Sequence, residues 1–113
     1  MIKEGIKKKK NILFICSGAI DRSPCAASLI PGSKFAGVGP LTETPVTKEL
    51  IDWADLIICM GQEHKASLFE QFSDARKKNV EVLNVGNDYL RYDPELEVVL
   101  REKLRKWIKK KLP

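Results

Sequence analysis

The chain has 113 residues, 43% of them hydrophobic and 31% charged, with a formal charge of +5; that length suits one domain with one hydrophobic core and excludes a second. No run approaches the roughly 18 apolar residues of a membrane helix, and the first residues lack the apolar stretch of a secretory signal, so a cytoplasmic protein without a membrane span is expected. The charge is lopsided, with +4 on residues 1–10, +6 on residues 101–113 and −5 on the body between them.

Residues 1–10, with Lys3 and the run Lys7 to Lys10, read as a basic N-terminal extension, and residues 11–113 as a single α/β domain. Lysine runs attract nucleic acid or anionic lipid, but a solvated, fraying end is the reading adopted here over either partner. Asn11 to Ile15 then carries the continuous apolar run of a strand buried on both faces of a parallel sheet. Cys16 to Arg22 is too short and small-chained for an element of its own and reads as a loop. Ser23 offers a cap hydroxyl and Pro24 a preset φ, so a helix is expected from there to Pro31-Gly32.

Lys34 to Val38 reads as a short second strand, and Gly39 to Pro45 as a loop by its Gly, Pro and Thr content. Thr47 caps a short helix with Leu50, Ile51 and Trp53 for the core. Leu56 to Met60 repeats the buried-strand pattern, Gln62 to Phe72 forms a helix with Leu68, Phe69 and Phe72 inward, and Val80 to Val85 is a fourth strand. Asp93-Pro94 repeats the cap-plus-proline signal, opening a last helix that carries Leu96, Val99, Leu100, Leu104, Trp107 and Ile108 on one face. The fold expected is a three-layer α/β sandwich around a four-stranded parallel sheet. Ligands of such sheets bind outside the carboxyl ends of the strands, where the loop after Ile15 lies.

That loop carries the chemistry. Between a buried strand and a helix N-terminus, backbone N–H groups converge with the positive end of the helix dipole into an anion site. Arg22 supplies a planar fork for two phosphate oxygens, and Gly18 permits close backbone approach. The same field favours the thiolate of Cys16, the nucleophilic form, with Ser23 donating to its sulfur. The phosphate-binding set is Ser17, Gly18, Ala19, Ile20, Asp21, Arg22 and Ser23. The three cysteines match neither a zinc site nor a disulfide framework, and no metal or cofactor is expected. Cys25 and Cys59 read as core residues, and His64, on a predicted helix, as structural or exposed.

The stretch Asn11 to Pro24 resembles the signature of low-molecular-weight protein tyrosine phosphatases: an apolar strand, then Cys, five residues and Arg-Ser-Pro. Phe35-Ala36-Gly37, Pro45 to Leu50 with Trp53 to Ile57, and Asp93 to Leu96 resemble later segments of that family, the last of them a short bacterial and archaeal branch. The resemblance implies a phosphatase acting on phosphotyrosine, in a phosphorylated protein, or on small aryl phosphate monoesters. Cys16 would form a phosphocysteine, Arg22 and the loop amides would hold the oxygens, and Ser23 would steady the thiolate.

Three positions depart from the family. Its acid sits in an Asp-x-Tyr unit, and the matching stretch here is Asn87-Asp88-Tyr89; an amide donates no proton to a leaving group, and Asp88 is the replacement candidate. Asp93 reads rather as the cap of the last helix. Ala19 stands where the family has a loop-bracing Asn, and Asp21, where many members carry a second cysteine, adds a carboxylate that either repels phosphate or points out to a lysine. Tyr89 and Tyr92 line the pocket or pack the domain. The competing readings are a catalytically weak or inactive phosphatase-like domain that binds phosphate or phosphoprotein, a thiol redox enzyme such as arsenate reductase, which needs resolving cysteines where only Cys59 lies downstream, and a phosphocarrier.

Overall fold

Ile12, Leu13, Phe14 and Ile15 offer no polar atom beyond their backbone, and in a computed structural model they form, with Cys16, strand β1 (Ile12–Cys16), buried along its whole length. The structure describes residues 11–18, 22–40, 42–86 and 93–105, and of Arg22 and Ser23 the backbone alone. The basic extension and residues Trp107 and Ile108 lie outside the described residues. After β1 come α1 (Arg22–Leu29), β2 (Lys34–Gly37), α2 (Lys48–Trp53), β3 (Leu56–Cys59), α3 (Gln62–Gln71), a 3₁₀ turn (Ser73–Lys77), β4 (Asn79–Val82) and α4 (Pro94–Lys103).

The four strands lie in the order β2-β1-β3-β4, all parallel. The chain leaves β1 toward one edge to make β2, then crosses back to make β3 on the other side. The order therefore reverses between β1 and β3, and it is at such a switch point that an open α/β sheet leaves a crevice at its carboxyl edge.

Alternation along β1 sorts the core into two layers. Ile12, Phe14 and Cys16 pack with Cys25, Ala26 and Ile30 of the α1 segment and with Leu96, Leu100 and Leu104 of the α4 segment. Leu13 and Ile15 pack on the other face with Ile51 of α2 and Leu68 of α3, where Leu50, Trp53, Phe69 and Phe72 are half-buried. A fully buried Phe14 contributes about 1.5–3 kcal/mol relative to exposure, so this strand anchors both layers. Helices cover both faces, as the alternation of elements implies.

Local signals explain most boundaries. The Thr47 side chain accepts from the Leu50 amide at 3.1 Å and Asp93 from the Glu95 amide at 2.9 Å, so both are N-caps. Three elements differ from expectation. Helix α1 begins at Arg22, so Ser23 lies inside its first turn and is not its cap; Pro24, needing no hydrogen bond there, is tolerated. Strand β4 ends at Val82 because Asn84 takes φ 61°, which a pleated ladder cannot continue. Beyond it the amides of Leu83 and Val85 still donate to the carbonyls of Cys59 and Met60, at 2.9 and 2.7 Å. The 3₁₀ turn, in a polar run without apolar period, has no sequence signal. Among the described residues, no helix is long and apolar enough to cross a membrane.

Candidate functional site

Cys16 ends β1 at the switch point, 3% exposed, with the Ser17 that follows it exposed and Gly18 half-buried. The carbonyls of these three residues are each taken by a donor from the segment after β2. The Val38 amide donates to Cys16 O at 2.9 Å, the Gly39 amide to Ser17 O at 2.8 Å, and Thr42 Oγ1 to Gly18 O at 2.7 Å. A trans peptide points its C=O and N–H to opposite sides. The amides of Ser17 and Gly18 therefore point away from the β2 side, which is how successive N–H groups build an anion-binding concavity.

Two glycines make room for this. A Cβ at Gly37 would overlap the Ser17 carbonyl oxygen and come within 2.8 Å of Thr42 Oγ1, and one at Gly39 would lie 2.9 Å from the Ser17 oxygen. The approach of loop to strand thus depends on missing side chains. Gly37 also donates to Thr44 O at 2.8 Å and accepts from the Val46 amide at 3.1 Å, which ties the segment 42–46 to the edge of β2. Gln71 Nε2 adds a bond to Val38 O at 2.9 Å.

Arg22 is the first residue of α1 and Ser23 the second, so the first-turn amides, which lack intrahelical partners, open at the end of the loop. Helix α1 is held there because Cys25, Ala26 and Ile30 pack in the same layer as Cys16. Ala19, Ile20 and Asp21, and the stretch Asn87, Asp88, Tyr89 and Tyr92, lie outside the described residues. Asp93 is engaged as the α4 cap. Cys25 and Cys59 are buried; burial pushes the Cys59 thiol up to about 12, against a smaller downward pull from Lys65. His64 is buried in α3, its Nε2 3.7 Å from a Glu63 carboxylate oxygen. A cleft of about 340 Å³, lined by Met60, Gly61, Gln62, Glu63, Asn84, Val85 and Gly86, continues the same carboxyl edge past β3 and β4.

No family model matches the chain. A curated protein-arginine-phosphatase of Geobacillus stearothermophilus is 27% identical, over 59% of this chain and 65% of its own length, so the chain spans just under two thirds of that relative. Among solved structures, a low-molecular-weight protein tyrosine phosphatase from Bacillus subtilis is 27% identical with a TM-score of 0.63, covering 88% of this chain and 97% of its own. The YwlE arginine phosphatase, with a serine in place of its active-site cysteine and that serine phosphorylated, is 27% identical with a TM-score of 0.63, covering 90% of this chain and 97% of its own. The chain is thus similar in fold to low-molecular-weight protein tyrosine phosphatases and in sequence to a protein-arginine-phosphatase.

Two features of the loop's support had no clear signal in the sequence. Thr42 sits in a segment whose Gly, Pro and Thr content marks it only as a loop, and nothing in its spacing points to Gly18, which is 24 residues away. Gly37 was legible as part of Phe35-Ala36-Gly37, but its close approach to Ser17 was not. A glycine ending a strand that runs beside another strand's carboxyl end is the available hint, because glycine there often marks close backbone approach.

Proposed function

We propose that the chain is a cysteine-dependent phosphatase that hydrolyses phosphotyrosine or small aryl phosphate monoesters through a phosphocysteine on Cys16. The observation that carries the reading is the direction of the loop peptides. With the Cys16 and Ser17 carbonyls bonded on the β2 side, the following amides are available to an anion at the end of β1.

In the first step the Cys16 thiolate attacks phosphorus; the S–P bond forms as the bond to the aryl oxygen breaks, and the leaving oxygen takes a proton. In the second, water attacks the phosphocysteine, the S–P bond breaks, and inorganic phosphate leaves with the thiolate restored. Arg22 and the loop amides hold the equatorial oxygens in both steps, and Ser23 steadies the thiolate. Asp88 is the candidate to supply and take back the proton, since Asn87 occupies the position of the family's acid. A relative whose active-site residue is itself phosphorylated supports a covalent phosphoenzyme in this family.

The test is turnover of para-nitrophenyl phosphate and a phosphotyrosine peptide by purified protein, from acidic to neutral pH, with Cys16→Ser alongside. Activity that disappears in Cys16→Ser supports the reading; silence of the wild type at every pH overturns it. A second reading has its own observation, that the curated relative is a protein-arginine-phosphatase. A phosphoarginine peptide turned over with a higher kcat/KM than the phosphotyrosine peptide would favour it.

A further inference from the structure

Of the three loop carbonyls among the described residues, two are held by backbone amides and one, that of Gly18, by a side chain, Thr42. The Thr42 hydroxyl does not float. It donates to Gly18 O at 2.7 Å and accepts from the Thr44 amide at 3.1 Å, so both its hydrogen-bonding directions are spoken for. Thr44 is in turn fixed to the sheet, because its carbonyl accepts from Gly37 at 2.8 Å. An unbroken chain of bonds therefore runs from the edge of β2 through Thr44 and Thr42 to the Gly18 peptide. Gly37, whose missing Cβ would lie 2.8 Å from Thr42 Oγ1, is what leaves the hydroxyl room.

The residue that follows Gly18 is Ala19, which brings no side-chain oxygen or amide of its own to the loop. The Gly18 carbonyl is thus held from outside the loop. We propose that Thr42 is a positioning residue for the anion site: its hydroxyl orients the Gly18 peptide so that the face of the loop opposite the β2 side is presented to bound phosphate. This rests on the phosphatase reading above, since it assigns the device that holds that reading's cradle. Thr42 touches neither the phosphate nor Cys16 in this role, and its effect passes through the backbone. A hydroxyl is required and its methyl is not.

The experiment measures inorganic phosphate binding to the full chain by calorimetry, together with thermal stability, for the wild type, Thr42→Val, Thr42→Ser and Thr47→Ala. Loss of one neutral hydrogen bond is expected to weaken phosphate binding by about 5- to 10-fold in Thr42→Val, with Thr42→Ser within about twofold of the wild type. Thr47→Ala removes the α2 cap, a purely structural bond, and is expected to lower the melting temperature while leaving the phosphate affinity unchanged. Thr42→Val binding phosphate as the wild type does, or Thr47→Ala weakening it equally, overturns the inference. A wild type that binds no phosphate overturns the phosphatase reading itself, and the role of Thr42 falls with it.

Discussion

Cys16 and Cys59 stand on neighbouring strands of one sheet and face opposite layers of the core. Ile15 is the register partner of Cys59, so Cys16, one residue further along β1, points to the other side. Cys16 ends at the carboxyl edge, whereas Cys59 sits among α2 and α3 side chains, where burial pushes its thiol up to about 12. The two thiols are separated by the sheet, which argues against their pairing and against the redox-enzyme reading.

The raised value has a consequence for stability. Cys59 stays protonated in the folded chain while the unfolded thiol, with its ordinary value of 9.0, ionises. Its contribution is fully present below pH 9.0 and is lost as pH rises toward about 12. The loss is about 1.4 kcal/mol per pH unit inside that window. Urea unfolding of wild type and Cys59→Ala at pH 7, 9, 10 and 11 isolates it from lysine and tyrosine titration. The stability advantage of the wild type should shrink above pH 9; an advantage independent of pH sinks this assignment.

Gly37→Ala should damage the loop out of proportion to its size. The added methyl would overlap the Ser17 oxygen and crowd Thr42 Oγ1, and backbone on one side leaves little room to yield. A cost of about 1–3 kcal/mol is expected, with loss of phosphate binding. Gly32→Ala is the matched comparison. Its φ of +86° makes a side chain strained, at about 1–2 kcal/mol, but no atom lies within 4 Å of the new methyl. Both variants should melt early in a thermal scan, and Gly37→Ala alone should lose phosphate; equal binding by the two contradicts the steric account.

How far the sequence could be read depends on the range of the signal. The β1 run, the Thr47 and Asp93 caps and the burial of Leu96, Leu100 and Leu104 come from periodicity and from contacts within a few residues, and all were legible. The break between β1 and α1 was legible because a buried apolar run stops at Cys16 and a helix signal follows it. What escaped was long-range or conformational. Thr42 reaches Gly18 only through the folded sheet, and the end of β4 is set by a left-handed Asn84. The Ser23-Pro24 signal was read two residues too late, because Ser23 lies in the first turn and a proline fits anywhere in it.

Asp93→Ala tests the division between cap and acid. The carboxylate accepts from the Glu95 amide at 2.9 Å and so is engaged with the helix it opens. Removing it should cost about 1 kcal/mol of stability, read by urea unfolding, while aryl phosphate turnover per folded molecule stays within error of the wild type. A large fall in kcat without a fall in stability would instead make Asp93 the proton donor.

The missing acid gives the sharpest prediction. On the phosphatase reading proposed above, with Asn at position 87, Asp88 is the candidate proton donor to the leaving oxygen, and general acid catalysis is worth about 10²- to 10⁴-fold. That contribution is largest for poor leaving groups, because a strongly basic phenolate departs slowly unless protonated. Asp88→Asn should therefore depress kcat for phenyl phosphate far more than for para-nitrophenyl phosphate, whose leaving group is stable as an anion. Asn87→Asp separates this reading from that of a domain without a working acid: only in the latter does phenyl phosphate turnover rise by about 10²-fold or more, with a new fall in rate on the alkaline side as the added carboxyl ionises. Equal effects of Asp88→Asn on both substrates would remove Asp88 from proton transfer. An unchanged rate in Asn87→Asp, with a wild type that already turns over, would overturn the reading of a phosphatase-like domain that has lost its acid.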